Sequence, residues 1–177
     1  GFTGYNGYSY DEAVEEGRQL IELARAVRAP VVRVVSGPYA GHLRKHARRL
    51  LMMGLEDLLP EAQAAGVKLV LQPMASTFRE WTFLNSLDAA VSVLEEFRSS
   101  HVGLALGTYH LIREKNLLEK IESIGPWISS VQVSDWVPTS SDADRRFPGE
   151  GKLPLAEILS AIESTGYQGW YELEVWS

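Results

Sequence analysis

Helix-like and strand-like segments alternate along all 177 residues of this chain, and that alternation admits few folds. Apolar residues at three-to-four spacing, Val14, Leu20, Ile21, Leu23, Ala24 and Val27, mark a first helix that Ser9 or Asp11 can cap. Ala29-Pro30 ends it, because a residue before proline is pushed out of helical backbone. VVRVVSG (31–37) follows as a strand rich in β-branched residues, and a second helix runs from about Gly41 to Ala65, closed by Gly66. The strand VKLVLQPM (67–74), a helix over Leu84 to Ser99, the strand VGLALG (102–107) and a short helix near Asn116 to Ile124 come next. The chain finishes with the strand ISSVQVSDW (128–136), a long polar loop, the helix LAEILSAIESTGY (155–167) and the strand GWYELEVW (169–176). Nearly continuous apolar strands between helices of ten to twenty residues indicate a parallel sheet covered by helices. No internal repeat, low-complexity tract or linker divides the chain, so it reads as one domain over residues 1–177.

Two α/β architectures fit this pattern, the open doubly wound sheet and the eight-stranded barrel. No glycine-rich phosphate fingerprint follows any strand; SGPYAG, after the first, lacks the spacing. Polar residues recur instead at the C-terminal ends of the strands: Ser36, Gln72, His110, Gln132 with Ser134 and Asp135, and Glu174. In a barrel those ends converge on one pocket, so the expected fold is a (β/α)8 TIM barrel. Five strands cannot close such a barrel. An earlier part is therefore expected before Gly1 and a last helix after Ser177. Otherwise the strand edges at Val31–Val35 and Trp170–Trp176 stay open and need covering, for instance by another subunit of a homo-oligomer.

The formal charge of -6 argues against a nucleic-acid surface, which needs a basic footprint. The absence of cysteine excludes disulfides, thiolate zinc sites and a cysteine nucleophile. No apolar run reaches the ~18 residues of a membrane-spanning helix, and no basic-then-apolar leader is present. The expected compartment is the cytoplasm, with no membrane partner.

Five motifs, LQPM (71–74), LGTYHL (106–111), VQVSDW (131–136), DRRFPGEGKLPL (144–155) and GYQGWYELEVWS (166–177), occur in this order. Together they resemble the xylose isomerase-like barrel superfamily of sugar phosphate isomerases and epimerases, which includes hydroxypyruvate isomerase, inosose dehydratase and ketose 3-epimerase relatives. The last two motifs are the most specific. The resemblance implies that this chain covers roughly strands 4 to 8 of the barrel. It also implies one divalent metal, Mn, Mg, Co or Zn, held at the strand ends by a glutamate, an aspartate, a histidine and a second glutamate. The glutamates double as acid and base, and the cation steadies an enediolate.

Carried over residue by residue, the first glutamate position falls on Gln72, the aspartate on Gly107 and the histidine on Gln132. Only the last glutamate is kept, as Glu174, the catalytic candidate. Two substrate-binding positions survive, His110 and Arg145, and Gln72, Gln132 and Trp136 join them as candidate contacts. Amides lack charge and glycine lacks a side chain, so the expectation is a degenerate site with no cofactor, unless a metal is held in altered form. Gln72 cannot serve as a base, because an amide does not titrate in the useful range. The expected partner is a small sugar, polyol or sugar acid. The function is then either isomerase or epimerase chemistry by an altered route, or a catalytically inactive sugar-binding or partner-subunit barrel.

Each candidate also has a plainer explanation. His110 could be bonded to backbone at a strand end, Glu174 could form a structural ion pair with Arg145 or His110, and Trp136 could pack beneath the long loop. Arg145 and Arg146 could grip a phosphate or carboxylate, or anchor that loop. The run His42, Arg44, Lys45, His46, Arg48 and Arg49 reads as a solvated helix face.

Overall fold

A computed structural model describes residues 1–4, 7–97, 99–138 and 144–175. Helix α1 (Tyr10–Val27) is started by Ser9 through a capping box: the Glu12 N–H donates to Ser9 Oγ, and Glu12 Oε2 accepts the Ser9 N–H at 2.8 Å. Of the two candidate caps it is Ser9 that works. The helix stops at Arg28, whose left-handed backbone (φ 58) returns its N–H to Ala24 and Arg25. Strand β1 (Val31–Val34) follows, then α2 (Arg44–Ala65), closed by left-handed Gly66. Pro60 lies inside α2 without ending it. Both Pro60 and Glu56, four residues earlier, are exposed, so water can satisfy the carbonyl that proline leaves without a partner.

The remaining elements are β2 (Lys68–Leu71), α3 (Leu87–Leu94), β3 (Val102–Gly107), α4 (Leu117–Ile124), β4 (Ile128–Val133), α5 (Leu155–Ser164) and β5 (Tyr171–Leu173). Every expected element exists, and most are shorter than the apolar pattern suggests. Gln72, Pro73 and Met74 leave the β2 ladder, and α3 waits for Ser86, whose side chain accepts the Ala89 N–H. The expected last strand reaches Trp176, which lies outside the described residues.

The five strands form one parallel sheet in the order β1-β2-β3-β4-β5. Leu69, Leu71, Leu104, Leu106, Val131 and Val133 point to the helix-covered side and pack with Leu51, Leu55, Leu58, Ala90, Ile121 and Ile158. The alternate residues, Arg33, Val70, Ala105, Gln132 and Glu172 among them, face the concave side. Arg33 of β1 and Glu172 of β5 form an ion pair from the two edge strands. The arrangement is a parallel half-barrel. At its two flanks Leu23 and Val27 of α1, and Trp170 and Leu173 at β5, remain more than half exposed.

Candidate functional site

The C-terminal ends of β2, β3, β4 and β5 bring five sequence candidates around Gly107. Gln72, just past β2, donates from Nε2 to Oε1 of Gln132 on β4 at 2.7 Å, with both side chains buried. Gly107 ends β3 between them. A Cβ at this glycine would lie 3.0 Å from His110 Cδ2, 3.7 Å from Gln132 Oε1 and 3.9 Å from Gln72 Nε2. The space beside Gly107 is therefore bounded by the His110 ring and the two amides.

His110 sits on the 3-10 turn Thr108–Leu111, which β3 runs into directly. Thr108 fixes that junction: its hydroxyl donates to the Ser134 carbonyl at 2.6 Å and accepts the Ser134 N–H at 3.0 Å, tying β3 to the end of β4. His110 Nδ1 faces the Ala75 N–H at 3.3 Å, one of two donors turned toward a ring whose neutral form accepts at only one nitrogen. Nε2 lies 3.3 Å from an Arg145 guanidinium nitrogen. Burial, with the adjacent Arg145 charge adding to it, pushes the imidazole down to about 3. The ring is thus neutral near pH 7, and a second proton would set two N–H groups against two donors.

Arg145 is 7% exposed, lies over the Tyr109 ring at 5.0 Å from its centroid, and pairs with Glu174 just beyond β5. The Glu174 N–H continues the sheet by donating to the Val133 carbonyl at 3.0 Å. Phe78 meets the His110 ring edge-on, with centroids 5.0 Å apart at 89°, and Tyr109 does the same at 5.6 Å. Tyr109 lies within LGTYHL beside His110, whereas nothing in the sequence pattern marked Phe78 as part of this cluster.

The loop that carries Arg145 is organised by Asp135. Its carboxylate accepts backbone N–H groups from Trp136 at 2.8 Å and from Gly149, Gly151 and Leu153 at 3.0 Å each. Burial raises this carboxyl, but the four N–H donors outweigh it and hold the group below its ordinary range. The Asp135 backbone also exchanges two hydrogen bonds with Arg146, next to Arg145. Trp136 is half-buried, and its backbone is held by Asp135 and by the Lys152 N–H. Arg146 turns to Asp144 at 2.9 Å.

Other features lie apart from this cluster. On α2, Arg48 is spoken for by Glu96 and the Ser92 carbonyl, and Arg44 lies over Tyr39. A cavity of about 660 Å³ opens at the opposite, N-terminal end of the strands, lined by Lys68, His101, Ser130, Tyr167 and Glu172. It contains none of the candidates, and barrel enzymes place their chemistry at the C-terminal ends instead. Among the described residues no three His, Cys, Asp or Glu side chains gather as a metal-ligand group, and no helix is long and apolar enough to cross a membrane.

A family model described as "Xylose isomerase-like TIM barrel" matches residues 1–177. The chain belongs to that family. It is 25% identical over 182 residues to an inosose isomerase from Halalkalibacterium halodurans, an alignment covering 98% of this chain and 63% of that protein. It is 33% identical over 91 residues to a D-psicose 3-epimerase from Enterocloster bolteae, covering 51% of this chain and 28% of the relative. Among solved structures, protein SMc04130 from Sinorhizobium meliloti 1021 superposes with a TM-score of 0.90 at 28% identity, over 100% of this chain and 67% of that one. The chain spans less than two thirds of the length of both curated relatives.

Proposed function

We propose that this family member binds a small sugar, polyol or sugar acid at the C-terminal ends of its strands, in a site that works without a divalent metal. The observation that carries the reading is the clustering of Gln72, Gln132 and His110 around Gly107, with Arg145 against His110 and Glu174 against Arg145. Residues 1–177 are treated as one domain in this reading.

The donor set does not fit the ion that the family implies. The two amides are bonded to each other, Gly107 offers no side chain, and Glu174 is already neutralised by Arg145. A divalent cation here would bring two charges into a site whose one carboxylate, the half-buried Glu174, is already paired. Hydrogen bonding is what these residues do offer: Arg145 as a donor, and the two amides as mixed donors and acceptors. Glu174 is the one carboxylate in the set. Proton transfer between two carboxylates on opposite faces of a sugar is therefore not available, because an amide at position 72 takes up no proton.

The second reading keeps catalysis, with Glu174 as a lone base in an isomerase or epimerase. The names of the relatives favour it, an inosose isomerase and a D-psicose 3-epimerase. One experiment separates the two. Sugar binding and solvent deuterium exchange into ketoses are measured with EDTA, and again with added Mn or Co. Binding without exchange in every condition is the expected result. Exchange that persists in EDTA and disappears in Glu174→Gln selects the second reading, and exchange that requires metal overturns the metal-free site.

A further inference from the structure

We propose that Glu114 is a positioning residue of this site, which holds the His110 ring in the orientation that meets the bound sugar without touching the sugar itself. This rests on the sugar-binding reading above.

A circuit of hydrogen bonds runs from His110 to Glu114 and back. The loop after β2 supplies one side of the histidine's seat, with the Ala75 N–H 3.3 Å from Nδ1. That loop is tied forward to the start of α3. The Met74 N–H donates to the Leu84 carbonyl at 3.0 Å, and Asn85 Nδ2 donates to the Met74 carbonyl at 3.3 Å. Two residues later α3 begins, and the Leu87 N–H donates to Glu114 Oε1 at 2.8 Å. The Glu114 N–H then returns to the carbonyl of Leu111, next to His110, at 2.9 Å. His110 and Glu114 line one small cavity inside this circuit, together with Met74, Asn85, Leu87 and Leu111.

The carboxylate is suited to this work. Its side chain is only 11% exposed, and both oxygens are used. Oε1 takes an N–H of the first turn of α3, which has no partner within the helix. Oε2 meets Lys120 Nζ of α4 at 2.8 Å, and the same ammonium reaches Asp88 of α3 at 2.8 Å. The turn that carries His110 is thereby fastened to α3 and α4 at one point. Arg113 adds a second tie, donating from Nη1 to Ser76 Oγ at 3.3 Å, one residue past Ala75. Residues 113 and 114 therefore latch the His110 turn to both ends of the segment 76–87. A seat fixed before the ligand arrives spares the cost of ordering the ring on binding.

Two measurements on Glu114 variants test this: the protonation of the His110 imidazole by NMR without sugar, and sugar affinity by calorimetry. In the natural chain the ring titrates at about 3. In Glu114→Ala the loosened ring should reach water and take up its proton at least about one pH unit higher, and sugar should bind about fivefold more weakly. Glu114→Gln should keep both properties near those of the natural chain, because the amide oxygen can still accept the Leu87 N–H. Glu114→Asp, one methylene shorter, should move both in the direction of alanine and serves where the alanine variant does not fold. A His110 titration unchanged in the alanine and aspartate variants overturns the positioning role, as does a glutamine variant that behaves like alanine. A moved titration with unchanged sugar affinity overturns the link from His110 to the ligand. If no sugar binds the natural chain, the sugar-binding reading falls, and this role falls with it.

Discussion

On one side of Gly107, Gln72 and Gln132 share a neutral hydrogen bond of 2.7 Å; on the other, buried Arg145 holds Glu174 and faces His110. Both halves lie at the ends of parallel strands, and all but the half-buried Glu174 are buried, but their physics differs. The amide half is joined by that hydrogen bond and carries no charge. The ionic half exists only while each member keeps its partner, because a buried guanidinium or carboxylate left alone has neither water nor a counter-charge. On the proposed reading, ligand binding rests on the ionic half, and the amide half offers a metal no charged oxygen.

That contrast can be broken by mutation, with the largest effect on the ionic side. Arg145→Met should cost about 3 kcal/mol in denaturant unfolding, chiefly by stranding Glu174, and Arg145→Met with Glu174→Met should recover most of it. If the single variant costs no more than the double, the pair is not a coupled unit.

Acid should produce an effect of similar size. His110 titrates at about 3 in the folded protein, below its ordinary 6.5, so between those values the unfolded chain binds more protons. Its contribution is complete above pH 6.5 and is lost progressively as pH falls towards 3, on the order of 3 kcal/mol by pH 4. His110→Phe should flatten the stability profile across that window. An unchanged slope would show that His110 is not held neutral by its surroundings. Asp135, also depressed, acts lower: its contribution is present above the ordinary carboxylate range and lost as pH falls through its folded value.

Asp135→Asn should cost about 2 kcal/mol, because an amide can accept with only one of its two heavy atoms where the carboxylate meets four N–H groups. Hydrogen exchange at Gly149 and Gly151 should quicken in this variant, and unchanged exchange would separate Asp135 from the loop. The smallest effect belongs to the amide half. Gln72→Leu should cost about 1–2 kcal/mol by leaving Gln132 Oε1 unpaired, and the Gln72→Leu, Gln132→Leu double variant should be nearly neutral. A double variant as damaging as Arg145→Met would erase the distinction between the halves.

Much of this was legible in the sequence, for reasons that particular residues make plain. The alternation of apolar runs and amphipathic helices fixed the parallel sheet, because burial on both faces leaves a pattern that local composition records. Strand ends were overdrawn because Gln72, Pro73 and Met74 stay apolar or buried after the ladder has stopped, and proline has no N–H to give it. The polar strand-end residues stood out by position, whereas Phe78 did not, since an aromatic in a loop looks the same whether it packs on a histidine or on nothing. Asp135 was visible as a residue past a strand end, but three of its four backbone donors come from a turn 14 to 18 residues away.

The central claim is that the residues at 72, 107 and 132 have exchanged a metal site for a neutral one, and Mn(II) binding followed by electron paramagnetic resonance tests it most directly. The natural chain should bind no stoichiometric Mn(II), while the Q72E/G107D/Q132H triple variant should bind one equivalent, with His110 shifting by a few tenths of an ångström to admit the new Cβ at position 107. One tight equivalent in the natural chain, or no gain in the triple variant, would contradict the account.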